Sequence, residues 1–261
     1  MPDPASFVPI GYRLLTLGEV DSTNAEAVRR AAAGERGPLW IRAEAQARGR
    51  GRSGRPWTSP PGNLYSSLLL DLDCSPGVVH QLSIVAGVAV VEAIEAAARD
   101  RGSLRGLRLK WPNDVMIGTA KTGGILLESS TRGRDTIVVV GVGLNLSSHP
   151  MNLGRPVTHL AEHGVRIEPL FMLHFLAHAM DRWLTIWQGG TGFSCVRTAW
   201  LRHAGPLGER LSVTTGAGHV DGSFVGIDGD GALMLRDEHG QVWRFSYGEV
   251  TLNVSGFGAG I

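Results

Sequence analysis

The spacing of apolar positions changes several times along this chain, and the changes mark out its elements. Residues 25–33, AEAVRRAAA, are alanine-rich with charge gathered in the middle, a helix signal. Thr23 and Glu26 stand at the spacing of a capping box, and Gly34 is placed to end the helix. Residues 39–45 and 64–72 read as strands. Apolar residues then run with few interruptions from 78 to 101, too long for a strand, and predict a buried helix. A third strand at 107–111 is stopped by Pro112. Residues 115–117 and 124–129, with a Gly-Thr turn after the first, predict a hairpin. The segment 136–146 opens on a run of successive β-branched residues, Thr136 to Val140, and reads as a buried strand. Helices are predicted over 169–188 and 193–203.

After Gly205-Pro206 the texture changes. Five short strand candidates follow at 211–215, 219–227, 232–236, 242–245 and 250–254, separated by turns such as Asp228-Gly229-Asp230-Gly231. Short, evenly spaced strands of this kind predict a small barrel. The chain therefore divides near residue 205, into an α+β unit (1–204) and a small β unit (205–261).

Composition narrows the function classes. With 261 residues, 43% hydrophobic and 19% charged, the chain has the make-up of an ordinary globular protein with a sizeable core. A net charge of +1 offers no overall basic field for nucleic acid or an anionic membrane. Five of the 25 basic residues nevertheless fall between Arg42 and Arg55. Cys74 and Cys195 form no metal or disulfide spacing. No secretory signal opens the sequence, and the apolar run 82–91 is too short to span a bilayer. The expectation is a cytoplasmic protein.

Four segments can carry chemistry. Gly49-Arg50-Gly51-Arg52-Ser53-Gly54 matches GxGxxG formally, but Pro56, Pro60 and Pro61 prevent the helix that a dinucleotide fingerprint requires. What remains is a loop with guanidiniums at Arg48, Arg50, Arg52 and Arg55 and a flat ring at Trp57. It suits phosphate or carboxylate, and equally a solvated basic loop or a nonspecific nucleic-acid patch. Lys110-Trp111-Pro112-Asn113-Asp114 places Asn113 and Asp114 in a turn at a strand end, which is also common turn chemistry. Lys121-Thr122-Gly123-Gly124 can hold a lysine against a ligand, or be a hairpin turn with a surface lysine. In Gly141-Val142-Gly143-Leu144-Asn145, the Asn145 amide needs partners, from a ligand or from the protein. The pairs His159/His163 and His174/His178 are at i,i+4 and could share a helical face. Neither lies in HExxH, and no third ligand stands near, so zinc ranks below a structural role.

Together these segments resemble the biotin protein ligase family, in the form that has only the ligase function. The resemblance rests on EVDSTN at 19–24, Gln46 with GRGRSGR at 49–55 and Trp57, NLYSS at 63–67, KWPNDV at 110–115, KTGGILLE at 121–128 and GVGLN at 141–145. They stand in the family's order over about half the chain. The resemblance implies a central mixed sheet flanked by helices, of the class II synthetase-like kind, followed by an SH3-like barrel. It implies ATP-dependent formation of biotinyl-5'-AMP and transfer of biotin to a lysine of a biotin carboxyl carrier domain, as in acetyl-CoA carboxylase. Ser22, Thr23, Asn24 and Gln46 would sit at the biotin head group, with Ser67 lining its pocket. Gly49, Arg50, Gly51 and Arg52 would close over biotin and adenylate, and Trp57 would pack on adenine. Lys121 would meet the carboxylate and α-phosphate, Gly124 would bring backbone to the ligand, and Asn113 and Asn145 would face nucleotide. Lys121 and Arg52 are the expected catalytic charges. Mg²⁺ would accompany ATP, with Asp114 a weak candidate contact and no dedicated metal site. No zinc, redox cofactor, nucleic-acid partner or membrane partner is implied, and a homodimer is left open.

The chain departs from the family pattern at two points. Ser53 stands where some members carry a further Arg. Thr122-Gly123 precede Gly124 where a larger residue is common, which predicts a looser backbone beside Lys121. Only about 18 residues precede EVDSTN, too few for a winged helix-turn-helix, so no repressor role is expected. Two rivals remain. A lipoate–protein ligase would need a dithiolane pocket and a different Arg-Gly signature, and a nucleic-acid-binding protein would show steep salt dependence.

Overall fold

The apolar strands of the first half of the chain pair into one seven-stranded sheet in the computed structural model, which describes residues 4–99, 104–132, 135–151 and 153–252. The strands are β1 (Arg13–Val20), β2 (Leu39–Gln46), β3 (Leu64–Leu72), β4 (Leu107–Lys110), β5 (Asp114–Ile117), β6 (Ala120–Arg132) and β7 (Asp135–Leu144), in the order β1-β2-β3-β7-β6-β5-β4. Only β1 and β2 run parallel, so the sheet is mixed. β1 is not anticipated from the sequence. None of its residues is fully buried and they follow no regular alternation, so it gains strand character by pairing with β2.

Helix α1 (Thr23–Ala32) covers one face, where Ala27 and Ala31 pack on Leu39, Ile41, Leu69 and Val139. The other face carries α2 (Leu82–Ala98), α3 (Pro169–Trp187) and α4 (Phe193–His203). The predicted helix 78–101 begins later than expected, because Pro76–Gln81 turns as a 3-10 helix, and its last two positions lie outside the described residues. The apolar stretch Pro76–Ala98 is also longer than the run 82–91 suggests. By length and composition alone it could cross a membrane, but 72% of its most apolar window is buried inside the protein, as in a core helix.

At the start of α1 the expected capping box does not form. Ser22, not Thr23, takes the extended N-cap position, and Glu26 is drawn to Arg29 and Arg30. Thr23 is thereby released toward Gln46.

The last five strands, β8 (Arg210–Thr215), β9 (Gly218–Ile227), β10 (Leu233–Arg236), β11 (Val242–Phe245) and β12 (Glu249–Leu252), form an antiparallel sheet in the order β11-β10-β9-β8-β12. Among the described residues no ladder joins β11 to β12, so the sheet is open where a closed barrel was expected. Residues 253 and 254 of the last predicted strand lie outside the described residues. Leu211, Val213, Phe224, Leu233 and Leu235 continue the core of the first unit, and Trp111 Nε1 donates to Gly231 O at 3.0 Å across the junction.

Candidate active site

A cleft of about 410 Å³ opens between the α1 end of the large sheet and strand β12. Its two ends differ in chemistry.

One end is neutral and rich in hydrogen-bonding groups. Thr23 donates to Gln46 Oε1 through its backbone N–H (2.9 Å) and its hydroxyl (3.2 Å). Gln46 Nε2 donates to Ser59 Oγ at 2.9 Å. Ser67 Oγ lies 2.7 Å from Thr23 Oγ1 and 2.6 Å from Asn24 Oδ1, and Asn24 Nδ2 donates to Glu128 Oε2 at 2.7 Å. Ser22, Thr23 and Asn24 are buried yet line the cleft. Ser67 is fully buried behind them and does not line it. Buried polar groups held in such a chain keep fixed orientations.

The other end is cationic. Arg52 reaches across from the Arg-Gly loop, donating to Asn113 Oδ1 at 3.3 Å and to Gly248 O at 3.1 Å. Burial lowers its pKa from the usual arginine value, with Asp114 and Glu249 opposing, and a guanidinium stays charged regardless. Lys121 is ion-paired with Asp114, whose other oxygen lies 3.0 Å from Lys110 Nζ. Burial draws the Lys121 ammonium below the ordinary lysine range, while Asp114 holds against it. Burial alone would raise Asp114, but Lys121 and Lys110 outweigh it and keep the carboxyl below its usual range. Both oxygens of Asp114 are therefore committed to ammonium groups, and the residue does not present a free cation site.

Trp57 lies between the two ends. Gly143 of β7 pairs with Gly124 of β6, and this bare stretch of sheet forms the floor under the indole. A Cβ at Gly143 would stand 2.8 Å from Trp57, and one at Gly124 would stand 3.2 Å from Lys121 Nζ. The Lys121 ammonium sits 5.4 Å from the centre of the Trp57 ring, within cation–π range. Gly141 makes the same allowance for Asn24, whose Oδ1 would lie 2.1 Å from a Cβ there.

The Arg-Gly loop is folded over the cleft. Bonds from Trp57 N to Gly49 O (2.9 Å) and from Gly51 N to Arg55 O (2.7 Å) close it, and Arg52–Gly54 makes a single 3-10 turn. Gly49 lies behind the lining, against Trp57 O. Arg50, Gly51, Arg52 and Arg55 line the cleft, Arg50 lies 3.4 Å from Glu128, and Arg55 is paired with Glu249.

The structure thus brings together Ser22, Thr23, Asn24, Gln46, Arg50, Gly51, Arg52, Trp57, Asn113, Asp114, Lys121 and Gly124. It does not bring Asn145 to the cleft. The Asn145 amide donates to Thr158 O at 3.0 Å and its backbone N–H to Thr122 O at 2.8 Å, so this buried residue braces the loop behind Lys121. The looser backbone expected at Thr122-Gly123 is also absent. Thr122 is fully buried, Gly123 is paired with Leu144, and a Cβ at Gly123 would stand 2.4 Å from the Leu144 side chain.

The family profile "Biotin/lipoate A/B protein ligase family" matches residues 15–145, and the profile "Biotin protein ligase C terminal domain" matches residues 207–252. A biotin–[acetyl-CoA-carboxylase] ligase of Paracoccus denitrificans is 40% identical over 233 residues, covering 86% of this chain and 95% of that protein. This chain belongs to the biotin protein ligase family. Among solved structures, the biotin protein ligase of Aquifex aeolicus in complex with biotin and ATP superposes with a TM-score of 0.77 at 28% identity, covering 92% of this chain and 98% of that one. The biotin protein ligase of Leishmania major in complex with biotinyl-5-AMP gives 0.60 at 25% identity, covering 90% and 99%.

In this member of the biotin protein ligase family, the cleft also contains residues that sequence reasoning did not single out. Lys110 and Arg155 add cations, and Glu249–Leu252 of β12 forms one wall. Lys110 lies inside the motif Lys110-Trp111-Pro112-Asn113-Asp114, whose turn chemistry points to Asn113 and Asp114 instead. Arg155 and β12 carry no local signal, because only the fold places them here.

Proposed function

We propose that this chain activates biotin with ATP, forming biotinyl-5'-AMP, and transfers biotin to a lysine of a biotin carboxyl carrier domain. The observation that carries the reading is the division of one cleft into a neutral hydrogen-bonding end and a cationic end, with an indole on a glycine floor between them. Biotin offers a neutral ureido head that both donates and accepts hydrogen bonds, and an adenylate offers an anionic phosphate beside a flat base.

In the first half-reaction a biotin carboxylate oxygen attacks the α-phosphorus, the bond to the bridging oxygen of the β-phosphate breaks, and pyrophosphate leaves. Charge gathers on the α-phosphate oxygens, so fixed cations and positioning supply the catalysis. Lys121 and Arg52 fill that role, with Lys121 exchanging Asp114 for phosphate and Lys110 remaining to hold the carboxylate. Thr23, Asn24 and Gln46 orient the head group. Ser67 acts through Thr23 and Asn24, and Asn145 through the loop behind Lys121. Trp57 stacks against adenine, while Asn113 faces the nucleotide beside Arg52. In the second half-reaction the carrier lysine amine attacks the acyl carbon, the bond to the phosphate oxygen breaks and AMP departs. The folded Arg-Gly loop keeps water from the anhydride.

Mg²⁺ fits this reading as the companion of the ATP phosphates, with its remaining positions filled by water. The pairing of Asp114 with two lysines argues against a protein-held ion there. The first 204 residues form the ligase unit, and residues 205–261 are read as an open SH3-like barrel whose last strand walls the cleft. A cytoplasmic location matches its substrates.

The test is ATP–pyrophosphate exchange with biotin or lipoate as the acid. Exchange that depends on biotin supports the reading. Exchange with lipoate alone would replace biotin as the substrate, and exchange with neither acid would refute the adenylation step.

A further inference from the structure

Beside Lys121, the chain after β7 folds back on the sheet, with Arg155 and Pro156 at the cleft and the residues that follow running away behind it. Lys121 N donates to Pro156 O at 3.0 Å, Thr158 N to Lys121 O at 2.9 Å, and Leu160 N to Asn145 O at 3.0 Å. This segment braces two strands that carry ligase motifs.

Within it the histidines pair differently from the sequence expectation. His159 precedes the short 3-10 turn Leu160–His163 and shares no helical face with His163, which turns to Thr158 Oγ1 at 2.8 Å. His159 instead faces His149, ten residues earlier, with the two Nδ1 atoms 2.9 Å apart. Glu162 stands beside both, its Oε1 3.7 Å from His159 Nδ1 and its Oε2 3.8 Å from His149 Nδ1. One ligand atom from each of the three residues lies within 4.8 Å of the others. The two imidazoles are largely buried, with side-chain exposures of 15% and 16%.

Two nitrogens of neutral imidazoles can share one proton at 2.9 Å, and that alone would make a hydrogen bond. The converging carboxylate makes the group a two-histidine, one-carboxylate ligand set. A tetrahedral ion about 2.0–2.1 Å from each donor holds its ligand atoms roughly 3.3 Å apart. To meet that geometry the nitrogens would separate by a few tenths of an ångström, and the Glu162 carboxylate would swing inward to bring one oxygen toward both of them, from a group whose three ligand atoms now lie within 4.8 Å of one another. Glu162 is already oriented, since Thr158 Oγ1 donates to its Oε2 at 2.6 Å. Outer partners of this kind fix the direction of a ligand.

We propose that His149, His159 and Glu162 bind one divalent transition-metal ion of the Zn²⁺ class, with a fourth position open to water. Imidazole nitrogen favours Zn²⁺, Co²⁺, Ni²⁺ or Cu²⁺ over Mg²⁺, so the site is distinct from the ion that accompanies ATP. Bound metal ties the chain just after β7 to the turn at Leu160–His163 and thereby stiffens the backing of Lys121. The inference goes beyond the ligase reading and does not depend on it.

The test is Co²⁺ titration of the full-length, tag-free protein after chelator treatment, followed by visible absorption, Zn²⁺ competition and thermal melting. One Co²⁺ per chain with bands of tetrahedral intensity, displaced by Zn²⁺ and unaffected by millimolar Mg²⁺, is expected, together with a rise in melting temperature. His149→Ala should weaken Co²⁺ binding at least tenfold with the circular dichroism spectrum retained. Should that variant fail to fold, Glu162→Gln, at a carboxylate with 46% side-chain exposure, should give the same loss. Absence of stoichiometric binding would overturn the proposal. So would binding equally tight in wild type and variant, which would move the ion to other donors such as the adjacent His174 and His178 rings.

Discussion

Lys121→Ala separates the chemical role of this ammonium from its structural one. The side chain is 11% exposed and paired with Asp114, which also lies 3.0 Å from Lys110. Removing one member of a buried ion pair costs about 3–5 kcal/mol when the other is left alone. Here Lys110 remains and the burial cost of Lys121 itself disappears, so the loss should fall below that range, at roughly 1–3 kcal/mol. At roughly 2–4 °C per kcal/mol for a chain near this size, the melting temperature drops by about 2–12 °C. The chemical loss is larger. A fixed cation aimed at charge that develops in the transition state is worth about 2.7–4 kcal/mol, or a factor of roughly 10²–10³ in rate. The assay is single-turnover pyrophosphate release at saturating biotin and ATP, paired with a thermal melt on the same preparation. A folded mutant that releases pyrophosphate at the wild-type rate would refute the role of Lys121. A mutant unfolded at 25 °C would refute the claim that Lys110 holds Asp114 in its place.

Further predictions concern neighbouring residues. Because the folded pKa of Asp114 is depressed, its contribution to stability is present above the unfolded carboxylate range and is lost as pH falls through the folded value. Asp114→Asn should therefore flatten the acid limb of stability, measured by denaturant unfolding across pH. The same change removes the charge that opposes burial at Lys121, so the alkaline limb of kcat/KM for ATP should move to lower pH, and an unmoved limb would contradict the pairing. Arg52→Ala removes the bonds to Asn113 and Gly248. At about 1.5–3 kcal/mol for a charged hydrogen bond, it should release biotinyl-adenylate roughly 10–100-fold faster, and unchanged retention would count against the lid. Gly143→Val places a Cβ 2.8 Å from Trp57. It should raise KM for ATP strongly while leaving biotin affinity nearly intact, as read by steady-state kinetics and calorimetry, and an unaltered KM would remove Trp57 from the nucleotide site.

The sequence makes some of this legible, and the limits have physical causes. Strand β7 and helix α2 declare themselves because an unbroken β-branched run and a long apolar stretch suit few other structures. Strand β1 does not, since RLLTLGEV takes its shape from pairing with β2, a nonlocal partner. The polar chain from Gln46 through Thr23 to Asn24 can be anticipated from its motifs, but not the order of its bonds, which follows from Ser22 taking the cap. Asn145 shows the limit clearly. Its position after a buried strand fits a ligand contact or a structural bond, and the choice is made by Thr158, thirteen residues later. The wall of the cleft is less visible still. Arg55 meets Glu249 across 194 positions and Lys110 meets Val250 across 140, pairings that local spacing does not encode. The five C-terminal strands begin within one residue of their expected starts, while whether they close depends on edges that strand propensity does not reveal.

The most direct measurement is mass spectrometry of an apo biotin carboxyl carrier domain after incubation with this protein, ATP and Mg²⁺, with biotin or lipoate in parallel. The account predicts a biotin-sized increase on the carrier lysine, absent without ATP and absent with lipoate. An unmodified carrier in the biotin reaction, with the protein folded and the carrier competent, would contradict it.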